Sequence, residues 1–137
     1  MNQDEIKQIL NFRMKESKEC LEDAESLYKT FRYRSSINRA YYPMFYCALA
    51  LINTREISSS KHSGVISIFD KEFVKTGEFP KYTSKWIHEA FMKRQESDYL
   101  DFKEITQEEA ELVLKNSHEF YNLVYSYLND TFSLFLH

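Results

Sequence analysis

Residues 34–52, RSSINRAYYPMFYCALALI, set the reading of the whole chain. Ile37, Tyr41, Met44 or Phe45, Ala48 and Ile52 recur at steps of three or four, the period of a helix with one buried face. Ala40, Ala48 and Ala50 are small enough to let neighbouring helices come close. The segment is apolar at its end and basic and aromatic at its start. These features predict the central helix of an all-α domain, with the flanking segments folded to cover it. Pro43 lies inside this helix. It has no N–H for the carbonyl of Arg39 and its ring crowds that carbonyl, so a bend is expected there, with a polar group or water serving the freed oxygen.

Before it, residues 3–30 read as one long helix, with Ile6, Leu10, Met14, Ser17, Leu21, Ala24 and Tyr28 on its buried stripe. Lys15, Lys18, Glu19 and Glu22 fall outside that stripe, as an ordinary solvated face. Thr30–Tyr33 is a short break, and Ser35 or Ser36 is expected to cap the central helix. Asn53–Ser60 reads as a loop. A third helix is expected from Ser59 or Ser60 through Val65, Ile66, Phe69, Phe73 and Val74, stopping at Thr76-Gly77, since glycine favours the position just past a helix end. Pro80 keeps the next turn non-helical. A fourth helix is expected from Thr83 or Ser84, carrying Trp86, Ile87, Ala90 and Phe91 and ending in polar KRQESDY. Thr106 with Glu109 has the form of a helix-capping box and starts the last helix, which carries Val113, Leu114, Phe120, Val124 and Leu128. The apolar tail TFSLFLH packs back on the body or joins a dimer contact.

The composition supports this plan. The 137 residues include two glycines and two prolines, so long helices with short links are favoured over a sandwich or barrel. The length fits a single domain, 1–137, that buries a core without disulfides or metals. Ten tyrosines and eleven phenylalanines suggest packing with wet edges, a subunit interface or a groove, because a tyrosine hydroxyl needs a partner. Cys20 and Cys47 fall at apolar helical positions and read as small core residues. The polar, acidic start MNQDEIKQIL is no signal peptide, and no apolar run reaches the ~18 residues of a membrane span, so a cytoplasmic protein is expected.

Little enzyme chemistry survives inspection. His62, His88, His118 and His137 are scattered, and neither His88-Glu89 nor His118-Glu119 has the second histidine that a zinc helix needs four residues on. No metal site or cofactor is therefore expected. Two glycines leave no phosphate loop or dinucleotide fingerprint, and the serines follow no nucleophile elbow. The formal net charge of −3 does not advertise nucleic acid, although a basic face could exist locally. Arg32, Arg34 and Arg39 cluster beside Tyr41 and Tyr42 at the start of the central helix. Cations interleaved with rings suit single-stranded nucleic acid, the cation taking phosphate and the ring stacking a base. The competing reading is that Arg39 pairs with an acid such as Asp98 while the tyrosines cap the core.

Three motifs, taken in order, carry a resemblance: NRAYYPMFYCALALI, then KHSGVISIF with FVKTG, then RQESDY. Their sequence and separation, over roughly residues 18–128, resemble the small stand-alone bacterial and archaeal members of the HEPN family. The resemblance implies a bundle of four to five helices, usually a homodimer. It also implies a place beside a small nucleotidyltransferase, commonly as toxin and antitoxin. Active HEPN proteins are metal-independent ribonucleases that use an arginine followed, after four to six residues, by a histidine. The histidine moves the ribose 2′-OH proton and the arginine stabilises the phosphorane charge. This chain departs from that pattern: with four residues between, Arg94 is followed by Tyr99, and with six between, Arg39 is followed by Tyr46, where close relatives often carry histidine. A tyrosine with its ordinary pKa near ~10 is a poor base at neutral pH.

The expectation is therefore a HEPN-type module that binds RNA or a nucleotide through Arg39, Tyr42, His62, Arg94 and Asp98, with Arg94 and Tyr99 as the candidate catalytic pair. Tyr99 is also the candidate acceptor of a nucleotidyl group from a partner enzyme. The alternatives are an active toxin ribonuclease using Arg94 with Tyr99 or His62, and a purely structural domain whose ring-rich surface binds a protein.

Overall fold

The computed structural model describes residues 1–99 and 104–134, with Tyr99 described in its backbone alone. The chain forms five helices: α1 (Gln3–Lys29), α2 (Tyr33–Asn53), α3 (His62–Phe69, continued by a π-helical turn over Asp70–Val74), α4 (Lys81–Tyr99) and α5 (Gln107–Phe132). No strand occurs among the described residues.

The central helix lies where its composition puts it. α2 packs against all four other helices, and α1 also packs on α5. Its buried residues include every position from Cys47 to Ile52. A helix buried all round is a core helix, whereas an amphipathic one covers a core. The periodicity read off residues 34–52 marks one face, but the second half of α2 is buried on almost every side, with Tyr46 and Asn53 alone half-buried. Ala40, Ala48 and Ala50 are wholly buried, which is the close approach that small side chains permit. α1 and α5 each bury a single stripe, Leu10–Met14–Ser17–Leu21–Ala24 on one and Ala110–Val113–Ser117–Phe120–Val124–Leu128 on the other.

Buried serines tie this packing together. Ser36 Oγ donates to the Ala24 carbonyl (2.8 Å), Ser17 Oγ to the Pro43 carbonyl (2.9 Å) and Ser117 Oγ to the Ala40 carbonyl (2.8 Å). Two of these bonds fall on the stretch around Pro43, so α1 and α5 both supply hydroxyls where the proline interrupts the helical ladder. They reach Ala40 and Pro43, not the Arg39 carbonyl that the sequence singles out.

The helix ends differ in detail from the sequence reading. α2 starts at Tyr33 after Arg32, without a side-chain cap. Ser36, expected as a cap, is instead buried one turn inside, because its hydroxyl is used across the α1–α2 interface. α3 begins at His62, not Ser59 or Ser60, and Ser59 Oγ accepts the Lys61 N–H (3.2 Å) in the preceding loop. α4 begins at Lys81, directly after Pro80, and Thr83 Oγ donates to the Pro80 carbonyl. Two expectations hold: Gly77 takes φ +84 just past the α3 turn, and Thr106 Oγ accepts the Glu109 N–H (3.1 Å) at the start of α5. Cys20 and Cys47 are free and buried. Leu134 packs on the core, while Phe135–His137 lie outside the described residues. No helix among the described residues is long and apolar enough to cross a membrane.

Candidate functional site

The basic and aromatic half of α2 meets the start of α3 and the middle of α4. Tyr41 lies on the core side of α2 and is wholly buried. Its hydroxyl is 3.0 Å from His62 Nδ1 at the first position of α3. The His62 ring stacks on Phe45, with centroids 4.1 Å apart and planes 14° apart, and meets Tyr42 edge-on at 6.0 Å. Phe91 of α4 closes the other side of Tyr41 at 5.5 Å. The KHSG sequence, Lys61 as the cap and His62–Gly64 as the first turn of α3, thus serves to deliver one imidazole into a ring cluster.

Arg94 of α4 lies over the same cluster. Its guanidinium carbon is 5.2 Å from the Tyr42 ring centroid and 5.7 Å from that of Tyr41. No carboxylate pairs with Arg94 among the described residues. A ring face attracts a cation while leaving its N–H groups unused, so Arg94 is held in place with its donors available. Burial lowers the proton affinity of His62, and the Arg94 charge lowers it further. Burial also raises the pKa of Tyr41, so that hydroxyl stays protonated at neutral pH. The neutral imidazole and the tyrosine therefore share one hydrogen bond. For His62 Nε2 to accept a proton, Nδ1–H must donate to the Tyr41 oxygen, and that bond would select the tautomer.

The structure brings Tyr42, His62 and Arg94 into one cluster, with Arg39 at its far side. Arg39 does not pair with Asp98. It donates to Asp23 Oδ2 of α1 through Nε (3.4 Å) and an Nη (3.2 Å), on an exposed surface. The physical reason is proximity: α1 packs along α2, so a carboxylate on the exposed side of α1 reaches Arg39. Arg39, Tyr42, Tyr46, Cys20, Glu16 and Glu19 line a groove of about 340 Å³ between the two helices. Tyr42 therefore stands between Arg39 on one side and Arg94 on the other. Asp98 is exposed one turn beyond Arg94 on α4. The Tyr99 side chain lies outside the described residues.

Sequence reasoning missed Tyr41, Phe45 and Phe91 as the frame of the site. Helical periodicity assigned Tyr41 and Phe45 to the core stripe, which is correct, but could not show that His62 packs on them from 17 or more residues away. The other described histidines are surface pairs: His88 Nε2 with Asp70 (2.6 Å) and His118 Nε2 with Glu25 (3.6 Å). No group of three or more His, Cys, Asp or Glu side chains is placed to hold a metal ion among the described residues.

Fold and cluster together define a small all-α protein with a cation, an imidazole and stacked rings gathered where three helices meet. A family model described as the HEPN domain matches residues 10–127, and the chain belongs to that family. It is 42% identical to "Putative toxin MJ0142" of Methanocaldococcus jannaschii over 122 residues, covering 89% of this chain and 83% of that protein. It is 35% identical to a "UPF0332 protein" of Thermotoga maritima over 126 residues, 92% of this chain and 96% of that one. A second M. jannaschii protein, "Putative toxin MJ0605", is 32% identical over 120 residues, 88% of each chain.

Proposed function

We propose that this protein is the HEPN component of a toxin–antitoxin-like pair and that it binds RNA or a nucleotide at the cluster of Tyr42, His62 and Arg94. The observation that carries this reading is the Arg94 guanidinium, set over the Tyr41 and Tyr42 rings with no carboxylate partner among the described residues. A cation left with open N–H donors beside ring faces suits a phosphate with an adjacent base. Arg39 extends the site past Tyr42, and Asp98 flanks it on α4. The toxin names carried by two relatives support the pairing. A small nucleotidyltransferase is the proposed partner, a homodimer the proposed assembly, and the Tyr99 hydroxyl the proposed acceptor of a nucleotidyl group.

One observation favours a second reading, a metal-independent ribonuclease. His62 shares the ring cluster with Arg94, and burial and the Arg94 charge keep it neutral at pH 7. A neutral imidazole beside an arginine is the pair that 2′-OH activation and phosphorane stabilisation require.

One experiment separates the two. Purified protein and its Arg94→Ala variant are incubated with total RNA in EDTA, and retention of labelled oligonucleotide is followed in parallel. The binding reading expects retention without cleavage, weakened at least tenfold by Arg94→Ala. Cleavage that disappears in both Arg94→Ala and His62→Gln would establish the ribonuclease instead. Neither retention nor cleavage would sink both.

A further inference from the structure

The turn between α1 and α2 carries a residue that its own backbone does not favour. Phe31 holds φ +64, in the left-handed region. It occupies the position just past the C-cap of α1: its N–H bonds the Tyr28 carbonyl (3.0 Å), and the Arg32 N–H bonds the Leu27 carbonyl (2.9 Å). This pair of bonds is the left-handed helix stop at which glycine is usual, because a Cβ is strained there. The other described non-glycine residues at positive φ are polar, Glu56 and Ser133. Phe31 is an aromatic residue in that conformation, and 77% of its surface is exposed. It touches Tyr33 only edge-on, with centroids 6.4 Å apart. Neither backbone preference nor core burial accounts for a phenylalanine here.

Its surroundings are aromatic and basic. Tyr28 and Tyr33, both half-buried, pack ring on ring at 5.5 Å behind it. Arg32 is exposed and has no carboxylate partner among the described residues, while Lys29 pairs only with Glu25 on the surface (3.4 Å). The turn is also continuous with the site of Arg94. An Nη of Arg34, in the first turn of α2, donates to the main-chain carbonyl of Ser97, one turn after Arg94 on α4. Tyr42 is nine positions on from Tyr33, about 14 Å along the helix axis.

We infer that the Phe31 turn is a second stacking platform for single-stranded RNA. A base of the strand held at Arg94 stacks on Phe31, and Arg32 meets an adjacent phosphate. This inference rests on the RNA-binding reading above and adds to it a length requirement: the ligand is a strand that spans both places, not a mononucleotide.

The test uses fluorescence anisotropy with the full chain. The probes are a labelled twelve-nucleotide single-stranded RNA, the same RNA with an abasic stretch, and a labelled mononucleotide. Phe31→Gly is the decisive variant, because glycine suits the turn and should leave the melting temperature unchanged or raised. Expected is a loss of affinity for the twelve-mer of about fivefold to a hundredfold, the range that one lost base–aromatic stack gives. Mononucleotide binding should not change, and Phe31→Trp should restore the twelve-mer. Equal twelve-mer affinity of wild type and Phe31→Gly overturns the platform while leaving the Arg94 site standing. An unchanged RNA affinity with a loss of self-association would assign Phe31 to a protein contact and likewise overturn it. No binding of any probe by the wild type overturns the RNA-binding reading itself, and the platform with it.

Discussion

At the scale of the single residue, His62 is the side chain whose surroundings most change its chemistry. Burial lowers its pKa from the ordinary value of 6.5, and the Arg94 charge adds to the effect. The unfolded chain therefore takes up a proton near pH 6.5 and the folded protein only at lower pH. Between those values the unfolded state binds more protons, so stability falls as the pH drops. Above 6.5 the imidazole is neutral in both states and contributes no slope. Chemical denaturation measured from pH 7.5 down to 5 should show this loss, and His62→Gln should flatten it. Arg94→Gln should raise the His62 pKa, read directly by NMR titration of the imidazole. An unmoved titration curve would mean that Arg94 does not act on His62 in solution. The Tyr41 hydroxyl, held protonated by burial, remains available to His62 across this range.

At the scale of the element, α2 sets the tolerances of the molecule. Ala40, Ala48 and Ala50 are wholly buried, so any added side-chain volume has to move a neighbouring helix. Ala48→Leu should cost about 1–3 kcal/mol in a urea melt, the usual range for overpacking. The serine hydroxyls that cross to α2 are a second constraint. Ser117→Ala leaves the Ala40 carbonyl without its cross-helix donor and should cost about 1 kcal/mol. A serine-to-alanine change at exposed Ser35 should be near neutral by comparison. α3 is a different case. It is short, passes into a π-helical turn over Asp70–Val74 and ends at Gly77, yet it delivers both His62 at its start and Phe73 to the core. The sequence marks the end of this helix through Gly77. It gives no sign of the π turn, because the step of four from Val65 to Phe69 to Phe73 lies close to one full turn in either kind of helix.

At the scale of the whole molecule, the relevant quantity is the distribution of charge, not its total. The formal net charge is −3, and Glu16 and Glu19 line the groove beside Arg39. Arg94 and Arg32 stand apart from those acids on the α2–α4 side and at the α1–α2 turn. RNA held by a few such cations should bind with a shallow salt dependence, a slope of about −0.7 in log K against log salt for each phosphate contact. Arg94→Ala should reduce the slope by about one contact, whereas a surface change such as Lys85→Ala on α4 should not. A steep slope unaffected by Arg94→Ala would place the nucleic acid elsewhere on the surface.

The chain alone determined a great deal. The scarcity of glycine and proline, the 3.6-residue periodicity of four segments and the Thr106 cap are local properties, and local physics fixes helices. The three ordered motifs were likewise enough to place the chain in the HEPN family. Arg94, His62 and Tyr42 were legible as candidate residues because motif positions and residue types name them. Their arrangement was not. Which acid meets Arg39, which rings hold His62 and which serines brace α2 depend on how the helices pack, and packing pairs residues far apart in sequence. Asp23 took Arg39 because α1 lies along α2. Tyr41 became the partner of His62 because α3 starts against the core side of α2. Phe31 stood out only once its backbone was known, since a left-handed φ leaves no periodic trace in a sequence.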